Sequence, residues 1–140
     1  MPPIASPIEP KPGSAARGPR ARVDAFLAAS RDGNFEALLA VLDPEVVVRA
    51  DAAAVALAAT RPPGAPIIEP EMHGAQAAAN AFNGRARAAK HAVIDGLAGA
   101  AWVFGGVTKS AFAFTVDNGK ITGIDIIMEP DQLAALDIVL

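Results

Sequence analysis

The chain has 140 residues, a length that suits one domain, and 52% of them are apolar, enough to bury a real core. It contains no cysteine, which excludes disulfides, thiol catalysis and Cys-ligated metal sites. The net charge is −3. Lys11, Arg17, Arg20 and Arg22 against Glu9 make residues 1–22 +3, so the remainder carries −6. Phosphate backbones are bound by Lys and Arg displacing counterions, so no direct nucleic-acid partner is expected of this acidic body.

The opening MPPIASPIEPKPG is proline-rich and has no apolar run of the kind a secretory leader needs. The weakly polar run GLAGAAWVFGGVT is too short and too glycine-rich to span a bilayer. No membrane contact is expected, and a cytoplasmic location suits the cysteine-free composition. Residues 1–20 read as a disordered Pro-rich tail, suited to connecting to further sequence, and residues 21–140 as the folded domain.

Val23, Phe26, Leu27 and Ser30 share one face of a first helix. Gly33 suits the position just past its end, and Asn34 suits the cap of the next. Phe35, Leu38, Leu39 and Leu42 form a second helical stripe that Pro44 is expected to end, and EVVVRA then reads as a strand. DAAAVALAAT has helix formers but no polar face, RPPGAP breaks it, and PIIEP suits a very short strand. HGAQAAANAFNGRARAAK reads as a third helix with Ala78, Phe82 and Ala86 or Ala89 inward, and Gly84 costs it about 1 kcal/mol relative to Ala.

From His91 the period changes to two. HAVIDGL, GAAWVFG, TKSAFAFTV and KITGIDIIM are four strands. DNG at 117–119 is a hairpin turn, and Gly105–Gly106 marks another. On the third strand Ser110, Phe112, Phe114 and Val116 share one face. The order predicts an α+β fold, with about three helices on one face of a curved antiparallel sheet and a cavity between them.

This order, and the stretches RVDAFLAASRDGNFEALLAVLDPEVVVRAD and FTVDNGKITGIDIIMEPDQLAALD, resemble a known group. It is the SnoaL-like branch of the NTF2-like, or cystatin-like, superfamily, and within it the C-terminal extension of ECF41-type, SigJ-like extracytoplasmic-function sigma factors. Those extensions often read Asp-Gly-Gly-Gly after the first strand and Asn-Pro-Asp-Lys-Leu near the end. The matching positions are DAAA, Asp51 to Ala54, and EPDQL, Glu129 to Leu133. Alanines replace the glycines, Gln132 replaces the lysine and Glu129 the asparagine. The resemblance implies an NTF2-like cone and a non-enzymatic regulatory domain that modulates transcription initiation through protein contacts. Sigma core domains or RNA polymerase are its implied partners. A homodimer and a small apolar ligand are further expectations. Asp51, Glu129, Pro130, Asp131, Gln132 and Leu133 are the contact residues it implies. Nothing upstream of Arg20 suits a helix-turn-helix, so this stretch is not expected to read a promoter itself.

The alternative is a small-molecule enzyme of the SnoaL or ketosteroid-isomerase kind, a cyclase, isomerase or hydrolase. Its candidate acid or base is Asp125, set among the isoleucines of IDII and expected to share a face with Ile121 and Ile127. Asp95 competes as a pocket residue or as the Asp of an Asp-Gly turn. His73 suits a cavity mouth or the surface, and His91 opens a strand. Trp102, Phe104, Phe112 and Phe114, with Phe82 from the third helix, are candidates to line a ligand pocket, against the competing reading of core or dimer contact. The absence of tyrosine excludes a phenolic oxyanion hole. No metal signature and no cofactor motif is present.

Overall fold

A computed structural model describes residues 18–60, 68–83 and 89–140. The elements, in chain order, are α1 (Pro19–Asp32), α2 (Phe35–Val41), β1 (Leu42–Ala50), α3 (Ala52–Ala59), β2 (Glu71–His73), α4 (Ala75–Phe82), β3 (Lys90–Ile94), β4 (Leu97–Phe104), β5 (Val107–Asp117), β6 (Lys120–Ile127), α5 (Pro130–Ala135) and β7 (Ile138–Val139). They form an α+β domain around one seven-stranded sheet, ordered β2-β1-β6-β5-β4-β3-β7. The expected antiparallel sheet has one exception: β1 and β6 run parallel. Among the described residues no helix is long and apolar enough to cross a membrane.

The helix boundary at 33–34 follows the residues that suit it. Gly33 takes φ +67°, its N–H reaches Ser30 O, and Asn34 N–H reaches Ala29 O, closing α1. The Asn34 side chain then accepts from Ala37 N–H at the start of α2. α1 begins at Pro19, inside the stretch read as tail, because proline fits the first helical position. The reading of residues 1–17 lies outside the described residues.

Pro44 does not end α2. The helix stops at Val41, and β1 already runs from Leu42. The register against β6 jumps between Leu42 and Val47, so Pro44 sits in a bulge that asks no ladder hydrogen bond of it. The third predicted helix is shorter than expected, ending at Phe82, and Lys90 belongs to β3. Gly84 and Ala86 lie outside the described residues. So do Pro66 and Ile67 of the short strand read at PIIEP, and the strand that forms there is the following Glu71–His73.

β3 to β6 form a meander joined by two-residue turns at Asp95-Gly96, Gly105-Gly106 and Asn118-Gly119. All six residues have positive φ, between +49° and +82°, as type I′ turns require.

Two apolar cores lie on opposite faces of the sheet. The larger packs α1 to α4 against the sheet and includes Phe26, Leu38, Ile121, Ile124 and Ile126. Its aromatic rings meet edge to face: Phe26 lies 5.1 Å from both Phe82 and Phe114, and Phe82 lies 6.2 Å from Phe112. Ser30, buried in this core, donates to the carbonyl of Phe82 at the end of α4. The smaller core lies under α5 and comprises Ala92, Ile94, Ala101, Ala111 and Leu133. The helices before the meander share one face as expected, and α5 crosses the opposite side.

Gly99 stands where the smaller core is tightest. A Cβ there would overlap Phe112 O and come to 2.7 Å from Ile94 Cγ1. Gly99→Ala is expected to destabilise the domain by about 1–3 kcal/mol, measured by urea denaturation.

Candidate functional site

Asp51, directly after β1, accepts three backbone hydrogen bonds. Its Oδ1 accepts from Ala54 N–H at 2.9 Å and caps α3. Its Oδ2 accepts from Met128 N–H at 2.7 Å and Glu129 N–H at 2.9 Å. The two stretches that carry the family resemblance, 77 and 78 residues apart, thus meet on one carboxylate. The parallel pairing of β1 and β6 explains the meeting. Parallel neighbours leave the sheet at the same edge, so the helices that follow them start side by side.

From this junction residues 128–140 run as a strap across the outer face, opposite the helices. Leu133 is 9% exposed, and Leu136 and Ile138 pack beside it on the alanine-lined smaller core. The far end is tied at the turn between β3 and β4. Asp95 N–H donates to Asp137 O at 2.8 Å, and Asp137 N–H donates to Asp95 Oδ1 at 2.7 Å. Val139 and Ile138 then pair with Val93 and Ile94 of β3.

Beside the strap an apolar rim is exposed. Val103, Phe104 and Val107 surround the β4–β5 turn, and Val139 and Leu140 end the chain described here, Leu140 at 74% exposure. A hollow of about 280 Å³ lies among Lys90, His91, Ala101, Val103 and Leu140. A second, of about 450 Å³, lies between the start of β5 and α5, lined by Val107, Lys109, Met128, Pro130 and Leu133 among others. Val103 and Leu140 meet at the first hollow, and Val107 and Leu133 at the second.

The candidate acid–base residues do not converge. Asp125 pairs in register with Arg49 and Ala113, on the sheet face opposite Ile124 and Ile126. Its expected neighbour Ile121 is on the other side. Thr122 is an extra residue relative to β5, and this bulge turns Ile121 into the larger core with Ile124. Asp95 is a turn residue that holds the strap. His73 is exposed on the edge strand β2, 2.8 Å from Glu71, with Arg49 Nε 3.5 Å from the same carboxylate. The His73 hydrogen bond first, then its charge, holds the Glu71 carboxyl below the ordinary glutamate value. Among the described residues no cluster of His, Asp or Glu could hold a metal ion.

The aromatic candidates separate as well. Phe82, Phe112 and Phe114 are packed together with Phe26 in the larger core. The rings of Trp102 and Phe104 lie 6.4 Å apart at a tilt of 42° at the end of β4, and Phe104 is 67% exposed. Among the implied contact residues, Pro130, Asp131 and Gln132 are exposed, Glu129 and Asp51 are half-buried, and Leu133 is spent on this domain's own core. Asp137, the partner of Asp95, went unnoticed in sequence because nothing local marks it as a tie. His91 is the residue undervalued there. It lies on the helix side of β3, paired with Ala100, and its Nε2 is buried without a hydrogen-bond partner.

No protein-family model matches the sequence, and no curated protein matches it either. Solved structures do. The chain is similar to the extracytoplasmic function sigma factor SigJ of Mycobacterium tuberculosis, at 21% identity and TM-score 0.60, over 83% of this chain and 44% of that one. It therefore spans less than half the length of that sigma factor. It is also similar to an NTF2-like protein of unknown function from Cytophaga hutchinsonii, at 16% identity and TM-score 0.50, over 84% and 95% of the two chains. A third similar structure is an LEH-like epoxide hydrolase of Mycobacterium tuberculosis, at 17% identity and TM-score 0.48, over 90% and 87%. The first two likenesses show the architecture: the chain has the NTF2-like, cystatin-like fold.

Asp51→Ala is expected to cost about 2–4 kcal/mol, because it removes a helix cap and leaves two strap amides without their charged acceptor. Asp51→Asn should recover part of this, since its single carbonyl oxygen can serve either the cap or the strap. Chemical denaturation of both variants measures the difference. The Glu71 carboxyl should titrate below the ordinary glutamate value in an NMR pH series, and return upward in His73→Ala. A depressed carboxylate stabilises the fold above its unfolded pKa and loses that contribution as pH falls through the folded one. Any help the pair gives to β2 is therefore lost on the acid side.

Proposed function

We propose that this SnoaL-like domain acts through protein contact, and that its contact surface is the strap with the apolar rim beside it. The observation that carries this reading is the exposure of Val103, Phe104 and Val107 at the β4–β5 turn and of Val139 and Leu140 at the end of the strap, with Val103 and Leu140 lining one hollow. Exposed apolar clusters of this kind mark sites that another surface covers. The partner class is the core of an extracytoplasmic-function sigma factor, in keeping with the two matched motifs and the likeness to 44% of the chain of such a protein. The domain would regulate transcription initiation through that contact rather than by touching DNA.

A second reading has its own observation. His91 lines the hollow with Lys90, Ala101, Val103 and Leu140, and its Nε2 is buried without a hydrogen-bond partner. An apolar molecule with one polar atom would satisfy it, as a substrate of a SnoaL- or ketosteroid-isomerase-like enzyme would. Native mass spectrometry of cell-derived protein tests this reading. A bound small molecule that is lost in His91→Phe supports it, and protein of bare mass counts against it.

For the contact reading, the test is binding to isolated σ2 and σ4 fragments by pull-down and calorimetry. Wild-type protein should bind, and Phe104→Glu with Val139→Glu should weaken binding at least tenfold with the fold intact. Equal binding by wild type and variant, or none by either, would sink the proposal.

A further inference from the structure

We infer that residues 129–140 form a releasable strap, latched by the reciprocal pair Asp95–Asp137 and hinged at Asp51, which opens without unfolding the rest of the domain. The inference deepens the contact reading and rests on it for its consequence: the rim is complete only while the strap is closed.

Three observations carry it. First, the strap belongs to a separate core. No residue from 129–140 is in the larger cluster, and Leu133 is the one strap residue fully buried in the smaller. Second, what lies beneath is mostly alanine. Ala92, Ala101, Ala111 and Ala113 each offer little more than one methyl group, and burial scales with apolar area. Leu136 and Ile138 are half-buried, and β7 contributes two residues of pairing. Third, the polar ties are concentrated at the two ends. Met128 and Glu129 are held at Asp51, and Asp137 is held at Asp95 by two short hydrogen bonds. Between those ends α5 is a single short helix of 6 residues. An element with few buried contacts and localised ties is of the kind that opens at a lower free energy than the core.

The latch has a specific construction. Asp95 has φ +49° in the β3–β4 turn, so its side chain leaves the turn and receives Asp137 N–H while its own N–H bonds back. Closed, it sets Val139 beside Val93 and leaves Leu140 facing the hollow that Val103 also lines. Open, it uncovers the alanine face and the edge of β3, and separates Val139 and Leu140 from Val103.

The test is native-state hydrogen exchange on the full chain, with no partner present. Asp95→Gly keeps a residue that tolerates positive φ and removes the acceptor. Asp95→Asn keeps both. In wild type, amides 136–139 should exchange at least 100-fold faster than those of Phe114 and Ile124. In Asp95→Gly they should exchange at least tenfold faster again, with the Phe114 and Ile124 amides nearly unchanged, and Asp95→Asn should restore the wild-type rates. Strap amides that exchange at the core rate in wild type would overturn the inference, as would strap and core accelerating equally in Asp95→Gly, or neither responding. Because no partner is used, failure here is distinct from failure of the contact reading.

Discussion

One carboxylate holds this structure's two halves in register. Asp51 ends β1, caps α3 and receives the first amides after β6. It can do all three because β1 and β6 are parallel and leave the sheet at one edge. A negative charge set where two helices begin is favoured by both sets of free N–H groups. The alternative, two helix starts crowded at one rim without an acceptor, would leave several half-buried amides unsatisfied. The position of α5, and hence of the whole strap, depends on this junction.

The sheet divides the labour between its faces. On the helix side, large side chains interlock: four phenylalanines meet edge to face over the isoleucines of β6. On the outer side, alanines at 92, 101, 111 and 113 let a short helix lie close. Close approach also demands Gly99, whose missing Cβ makes room for Phe112 O and Ile94. One face is built for stability and the other for a shallow cover. The aspartates follow the same division. Asp51 and Asp95 tie the cover down, and Asp125 lies in a row with Arg49 on the outer face.

Part of the site was legible from the residues. The family-like pieces DAAA and EPDQL drew notice in the sequence, and Pro130 opens a helix in the second. Their meeting was not legible, because a contact across 77 residues has no local signature. The aromatic candidates are divided for a different reason. Aromatic residues on neighbouring strands look alike in sequence, whether they end in a core, as Phe114 does, or at an exposed rim, as Phe104 does. Ile121 leaves the face of Asp125 and Ile127 through one bulged residue, Thr122, since a single insertion reverses which side chains share a face.

The local grammar of the chain was written in its residues. Gly33 and Asn34 end one helix and begin the next, and Asp-Gly, Gly-Gly and Asn-Gly make three two-residue turns, because few residues tolerate positive φ. Alternation then marked four strands of a meander, and with them the α+β class. The tertiary structure alone decided the rest: the parallel pairing of β1 with β6, the face to which α5 goes, and the partners of Asp51 and Asp95. Those depend on distant groups arriving at the same point, and a hydrogen bond reads distance in space rather than spacing along the chain.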